Sequence, residues 1–241
     1  MTELGLRARK KLQTRQQIVD TATSLFAERG FDNVTVVEIA RAASVSEKTV
    51  FNYFGTKEDL IFSGMDDFSA TLLRVIRERP PGTSAFAAFG EFVVQPRGLL
   101  AAEDPDAIER LAAIARMIDA STTLQTRQRH LFDASVDSLA ALMAEEAGVT
   151  DTDVDVWVVA NALIGVLRAM QKYIHHEVLA GRRGPNLIRD VLAQGRRAFE
   201  VLEHGLAEYA VGDRTVSPRH SSRSKSGREV RGSRTGDSTD A

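Results

Sequence analysis

The sequence predicts an all-α protein that begins with a helix-turn-helix domain, and three observations lead to this prediction. Alanine, leucine and arginine are abundant, and aromatic residues make up 6% of the 241 residues. Runs of β-branched residues, which favour strands, are few. The segment from Thr35 to Asp59, TVVEIARAASVSEKTVFNYFGTKED, has the caps and the turn of two short helices. We therefore expect nine or ten helices, arranged as an N-terminal three-helix domain joined to a C-terminal helical bundle.

The first two helices follow from an apolar stripe and a capping pattern. Apolar residues at helical spacing predict a first helix over residues 10–29, ended by a glycine. Thr35 and Glu38 have the spacing of a capping box, so the second helix should begin at Val36. Three of its side chains are expected to face the core: Val37, Ile39 and Ala40.

The third helix carries most of the candidate functional side chains. Residues 44–46 form the turn, and Ser46 is a good N-cap for a helix from Glu47 to Tyr53. Val50 and Phe54 lie four residues apart and should anchor that helix to the core. The residues between them are then left on its outer side.

A fourth helix is expected over residues 56–79, because Thr56 and Asp59 resemble a second cap and Pro80-Pro81-Gly82 ends it. We place the domain boundary inside this helix, near Ser63, so that a continuous helix would couple the two domains. Further helices are predicted at 83–95, 97–102, 105–119, 122–147, 152–180 and 185–209. The last two are the most hydrophobic and contain small residues, which favours a homodimer interface across a two-fold axis.

Charge divides the chain into regions with different net charges. Residues 1–63 carry a net charge of +1, residues 64–211 of −6, and residues 212–241 of +3. The predicted domains are a basic arm at 1–9, a helix-turn-helix domain at 10–62, a ligand-binding and dimerisation domain at 63–211, and a disordered tail at 212–241. Five basic residues of the N-terminal region have two interpretations, an extension of the nucleic-acid footprint or a solvated arm: Arg7, Arg9, Lys10, Lys11 and Arg15.

Composition also excludes several classes of protein. The chain has no cysteine, so disulfides, thiolate metal sites and cysteine redox chemistry are excluded. The N-terminus is basic but has no apolar core, so it does not predict a signal peptide. We found no apolar run close to the ~20 residues of a membrane span. We therefore expect a cytoplasmic protein with no membrane contact.

Residues 10–60 resemble the DNA-binding domain of the TetR family of bacterial transcription regulators. The segment that carries the resemblance is IVDTATSLFAERGFDNVTVVEIARAASVSEKTVFNYFGTKEDL. The family often has glycine where Ser44 lies here. The resemblance implies a homodimer with two helix-turn-helix heads in successive major grooves of an operator. It also implies a C-terminal pocket for a small-molecule effector that releases the operator, with no cofactor.

The resemblance places the DNA contacts on eight residues. Lys57, Tyr53 and Thr35 suit phosphates. Lys48 and Asn52 suit base edges, and Thr49 or Phe51 suits a thymine methyl group. The alternative is that these are ordinary surface residues of a helical bundle. The full set is Thr35, Ser46, Lys48, Thr49, Phe51, Asn52, Tyr53 and Lys57.

Pocket residues are predicted from aromatic, methionine and isolated polar side chains within the helical body. For the aromatic residues, core packing is the competing interpretation, and for the two arginines it is a surface ion pair. The candidates are Phe68, Phe89, Arg116, Met117, Phe132, Trp157, Asn161 and Arg168.

Two other function classes receive little support from the sequence. His175, His176 and Glu177 are adjacent in a helix, so they point in different directions and do not predict a metal site. An enzyme would need a catalytic constellation, and we found no Gly-rich phosphate loop or G-x-S-x-G motif. A nonspecific DNA-binding protein would be expected to carry more positive charge than this body does.

Overall fold

A computed structural model describes residues 5–102, 106–150 and 152–205, and these residues form nine α-helices and two 3-10 turns, with no strand. The all-α prediction is confirmed. The predicted tail at 212–241 and the first four residues of the predicted arm lie outside the described residues. The helices are α1 Leu6–Arg29, α2 Val36–Ala42, α3 Glu47–Tyr53, α4 Ser63–Arg77, α5 Ala85–Val93, α6 Ala107–Ala120, α7 Thr122–Ala147, α8 Val154–Leu179 and α9 Pro185–Glu203.

The N-terminal helices α1 to α3 form the head, and their caps agree with the sequence. The hydroxyl of Thr35 accepts from the backbone N–H of Glu38, and the Glu38 carboxylate accepts from the backbone N–H of Thr35, so the capping box is complete. The hydroxyl of Ser46 caps α3 by accepting from the backbone N–H of Thr49 at 3.0 Å. The prediction that Val37 faces the core is wrong, because its side chain is 44% exposed. Ile39 and Ala40 are buried as expected.

Helix α1 begins earlier than the sequence indicated. It starts at Leu6 rather than at about residue 10, so Arg7 and Arg9 extend from a helix. No acidic residue or side-chain cap marks this start, which explains why the sequence pattern missed it.

The predicted continuous helix over residues 56–79 is wrong. Glu58–Leu60 forms a 3-10 turn, and α4 begins separately at Ser63. Leu60, Ile61 and Phe62 are all buried in one core cluster. Leu60 ends the 3-10 turn, Ile61 follows it, and Phe62 is the N-cap of α4, so these residues form the junction between the two elements. The break at this junction removes the expected rigid rod between the head and the body.

The head packs directly on the C-terminal helices, which form the body (α4–α9). Its core, built around Ile18, Phe26 and Ile39, also contains Ile118 of α6 and Leu124 of α7. A second core lies among α4, α5, α7 and α8, and a third joins α6, α8 and α9. The shared first core joins α6 and α7 to the head through apolar contacts.

Helix α8 has an outward apolar face. Val154 and Val158 are 70% and 60% exposed, and Trp157 is 37% exposed. By length and composition α8 is also the one helix, within the described ranges, that is long and apolar enough to cross a membrane. Helices of soluble bundles pass that test as well, and the inner face of α8 packs against α7 and α9 in the body.

Candidate nucleic-acid interface and effector cavity

Helix α3 is held by two buried side chains and presents its other side to solvent. Val50 and Phe54 are buried, as expected from their spacing. Lys48 and Asn52 are exposed, and Phe51 keeps 51% of its surface exposed. A large aromatic side chain in this position indicates a surface that a partner covers.

The turn before α3 requires an unusual backbone conformation at Ser44. Its φ angle is +55°, and it is the one non-glycine residue with positive φ among the described residues. The left-handed region is unfavourable for residues with a Cβ. The structure therefore explains why the turn accommodates serine at some energetic cost where glycine fits without strain.

The hydroxyls of the predicted DNA-contact set are already engaged in caps. The Ser46 and Thr49 hydroxyls lie 2.8 Å apart, and the Thr35 hydroxyl donates to the Glu38 carboxylate at 2.8 Å. Hydrogen bonds from the backbone and the side chain of Thr35, together with Arg29, lower the pKa of Glu38 to about 2. These hydroxyls keep their place at the helix N-termini, where a phosphate can approach the backbone N–H groups.

Lys57 and Tyr53 are half-buried rather than freely exposed. The Lys57 ammonium donates to the carbonyl oxygens of Phe31 at 3.0 Å and of Val34 at 3.1 Å. It also lies 4.1 Å from the centre of the Phe31 ring. Because an ammonium has three donors, one remains for a phosphate. Tyr53 packs against the head core.

The body contains a cavity of about 240 Å³ between α4, α5, α7, α8 and α9. Phe68 and Phe132, two of the predicted pocket residues, line it. Ser69 and Ser135 also line it, and their hydroxyls are hydrogen-bonded to each other at 3.1 Å. The Arg97 guanidinium lies at its wall. Such a mostly apolar cavity with a few polar groups is typical of small-molecule sites.

A family comparison decides the class of protein. Residues 18–63 match the family described as "Bacterial regulatory proteins, tetR family". The N-terminal part of the chain is therefore a TetR-family domain. The assignment of the chain as a DNA-binding transcriptional regulator rather than an enzyme is confirmed.

The relatives that this chain resembles are named as transcriptional regulators. It is 24% identical over 175 residues to the HTH-type transcriptional regulator TcmR of Streptomyces glaucescens, covering 72% of this chain and 76% of that protein. It is 44% identical over 50 residues to the regulator HbdR of Aromatoleum sp. strain CIB, where the match covers 21% of this chain and 22% of that protein. Among solved structures, the fatty acid degradation regulator FadR of Bacillus halodurans shares the fold, with 21% identity, a TM-score of 0.50, and coverage of 78% of this chain and 98% of that one.

Six of the eight predicted pocket residues do not line the central cavity. Phe89 is fully buried in the second core, and Met117 lies in the core shared by head and body. Trp157 and Asn161 are exposed on α8, and the Asn161 amide donates to the carbonyl of Trp157. Core packing, the competing interpretation for the aromatic residues, describes Phe89 but not the exposed Trp157.

The two predicted arginines form ion pairs. Arg116 is exposed and pairs with Glu109 at 3.0 Å. Arg168 pairs with Asp133 at 2.5 Å, and its guanidinium lies over the ring of Phe132, which itself lines the cavity. Neither guanidinium faces the cavity, so both differ from the anion-binding role that the sequence suggested.

A wider groove of about 1,060 Å³ adjoins the cavity and runs between α1 of the head and α6 of the body. His175 of α8 lines it and is half-buried, whereas His176 is exposed. Burial lowers the pKa of His175, and the nearby Asp119 carboxylate partly opposes this shift. Within the described ranges, no group of three His, Asp or Glu side chains is arranged to hold a metal ion.

Sequence analysis missed Arg97, Ser69 and Ser135 as cavity residues. Ser69 directly follows the predicted Phe68, and Ser135 lies three positions after the predicted Phe132. Nothing in the helical spacing distinguishes these two serines from solvent-facing serines. Arg97 had a weak signal, because Pro96 and Gly98 interrupt an apolar stretch around it.

Proposed function

We propose that this chain is a ligand-responsive repressor that binds a palindromic operator as a homodimer and is released by a small-molecule effector. The observation that carries the proposal is the outward side of α3, where Lys48, Phe51 and Asn52 are exposed on a helix anchored by two buried residues. A soluble cytoplasmic location is part of this proposal.

The proposed DNA contacts combine positioning and readout. The recognition helix of a helix-turn-helix lies in the major groove while the preceding helix crosses the backbone. Lys48 and Asn52 would donate to base edges, and Phe51 or Thr49 would contact a thymine methyl group. Thr35, Ser46, Tyr53 and Lys57 lie at the helix ends and would hold phosphates.

The proposed dimer uses α8 and α9, the helices predicted from their hydrophobicity. Val154, Trp157 and Val158 are exposed on one side of α8, and Gly165 lies two turns further along that side. A Cβ built on Gly165 would meet no atom within 4 Å, so the surface there is open in the protomer. A partner helix can approach closely at such a small residue. The two-fold axis of this dimer would present the two α3 helices about 34–36 Å apart, matching half-sites one turn of DNA apart.

The proposed effector site is the cavity beneath α4. Its walls include α7, and α7 contacts the head through Leu124 in the shared core and through an ion pair between Arg127 and Asp59. An effector acts only through a difference in affinity between the two head arrangements. Filling the cavity would favour one position of α4 and α7, and the shared core would transmit that preference to α3.

The test is selection of bound sequences from random duplex DNA with the full-length protein. Wild type and Gln16→Ala, which removes an exposed amide on α1 of the same head, should enrich one palindrome. Asn52→Ala, which removes the amide on α3, should relax the preference at one position of each half-site, at a cost of about 1–3 kcal/mol. Smeared protection without a palindrome would instead support nonspecific DNA binding and reject the proposal.

A further inference from the structure

The wall shared by the cavity and the groove contains one arginine with unusual surroundings. Arg97 lines both spaces. Its Nε donates to the carbonyl of Phe92 at 3.2 Å, one Nη donates to the side chain of Gln95 at 3.0 Å, and its guanidinium stacks 3.8 Å from the centre of the Phe92 ring. These contacts fix the orientation of the guanidinium and leave three of its five N–H groups available.

No carboxylate neutralises Arg97 in the described part of the chain. Other arginines of the body have acidic partners, such as Arg79 with Glu146 at 2.7 Å and Arg183 with Glu109 at 2.8 Å. For Arg97, no Asp or Glu oxygen of the described residues lies within 4.0 Å. Its neutral partners are a carbonyl and an amide.

The lining of the inner cavity also has a positive side chain without a negative one among the described residues. Its lining residues, all within the described ranges, include no Asp or Glu, and Arg97 is their one basic residue. The adjoining groove is lined by the carboxylates of Asp20, Asp67, Asp106 and Glu109. Asp67 has Arg15 at 3.6 Å, and Glu109 has Arg183 and Arg116 as partners. Burial lowers the pKa of Arg97, because its charge has lost part of its water and no carboxylate of the described residues pairs with it.

We infer that the cavity takes an amphipathic anion, with an apolar body among the five helices and a carboxylate bound by the Arg97 guanidinium. This inference deepens the proposed function and rests on it, since it assigns the chemical class of the effector. A planar guanidinium with free N–H groups suits the two oxygens of a carboxylate. The cavity volume of about 240 Å³ is below the ~300–1,000 Å³ usual for drug-sized ligands, so a short chain or a single ring is expected.

The experiment compares acids with their matched alcohols by isothermal titration calorimetry on the full-length protein. The probes are octanoate with 1-octanol, and 4-phenylbutanoate with 4-phenylbutanol. Each pair shares its apolar body and differs at the group assigned to Arg97. The proteins are wild type, Arg97→Gln, Arg97→Lys, and Arg74→Gln, which removes an exposed arginine from the outer side of α4.

The expected result is that wild type binds at least one acid about tenfold more tightly than its alcohol, because hydrogen bonds to charged groups are the strong ones. Arg97→Gln should bind the acid and the alcohol equally. Arg97→Lys should keep part of the preference, because it retains the charge but not the fork. If Arg97→Gln proves unstable by circular dichroism, the reduced preference of Arg97→Lys decides the question. Arg74→Gln should match wild type.

Three results would overturn the inference: alcohols that bind as tightly as acids, an acid preference that survives Arg97→Gln, or no binding of either pair. These failures are separate from failure of the proposed function. An enriched palindrome without acid preference would leave the regulator intact and reject the role of Arg97. An acid preference with no release of an enriched operator would support the role of Arg97 and reject the effector mechanism.

Discussion

Arg127 and Asp59 join the body to the head through a two-point contact. The Arg127 guanidinium donates from Nε at 3.1 Å and from Nη2 at 2.7 Å to one carboxylate oxygen of Asp59. The other oxygen of Asp59 accepts from the backbone N–H of Thr56 at 2.9 Å. Asp59 therefore links α7 to the segment that directly follows the recognition helix, and it lies where the sequence had suggested an uninterrupted helix.

We expect this ion pair to stabilise the junction measurably. Its side chains are 34% and 17% exposed, so solvent weakens the attraction and a coupling energy of about 1 kcal/mol is expected. The measurement is a double-mutant cycle on the free energy of unfolding with Arg127→Gln and Asp59→Asn, the asparagine keeping an oxygen for the Thr56 cap.

The matched control for this cycle is the pair Arg77 and Glu145. It also joins two helices, but its side chains are 62% and 72% exposed. Its coupling energy should fall near zero. Equal coupling energies in the two cycles would mean that the Arg127–Asp59 pair has no special role at the junction.

Substitutions of Lys57 and Lys48 should separate effects on stability from effects on DNA binding. Lys57→Met leaves the carbonyls of Phe31 and Val34 without their donor, so it should lower the free energy of unfolding by about 1–2 kcal/mol. It should also reduce the salt slope of operator binding by roughly one unit. Lys48→Met removes an exposed lysine of α3, so it should weaken operator binding with little change in stability. A purely surface role for Lys57 would show as unchanged unfolding.

The sequence predicted those parts of the fold that depend on local hydrogen bonds. The caps by Thr35 and Ser46 and the bounds of α3 needed only neighbouring residues, and they are found as expected. The break between the 3-10 turn and α4 depends on where Leu60, Ile61 and Phe62 pack, which is set by distant helices. The cavity residues were harder still, because Phe68 and Phe89 have similar helical surroundings in the sequence and only one lines the cavity.

Replacing Ser44 with glycine should stabilise the head. The φ angle of +55° costs a residue with a Cβ about 1–2 kcal/mol, and glycine removes this cost. Part of the resulting gain in stability is offset by the greater freedom of glycine in the unfolded chain. A net increase of about 0.5–1 kcal/mol in the free energy of unfolding is expected from thermal or urea denaturation. Ser44→Ala keeps the Cβ and should give no such increase; equal stabilisation by both variants would place the effect elsewhere.

His175 should make stability fall in mild acid. Its pKa is lowered in the folded protein by burial, so between its unfolded pKa of about 6.5 and its folded pKa the unfolded chain binds more protons. The contribution is complete above pH 6.5 and is lost as the pH falls below it. His175→Gln should show a weaker loss in urea denaturation at fixed protein concentration, since glutamine does not titrate. His176→Gln, at the exposed neighbour, should follow wild type, and parallel curves for all three proteins would rule out this role.

The proposed dimer predicts that one added side chain leaves the protomer folded but weakens dimerisation. Gly165 lies on the outward side of α8 with open space around it, so Gly165→Leu should leave the folded protomer intact. At a close-packed interface the same side chain costs about 1–3 kcal/mol, which corresponds to a dimer dissociation constant roughly five- to 150-fold higher. Sedimentation equilibrium measures this dissociation constant. The control is Ala141→Leu, which adds a similar apolar group at an exposed position of α7 outside the proposed interface and should leave dimerisation unchanged. Because α8 exposes valine and tryptophan along this side, a Gly165→Leu protein that dimerises like wild type would require a different surface to cover them.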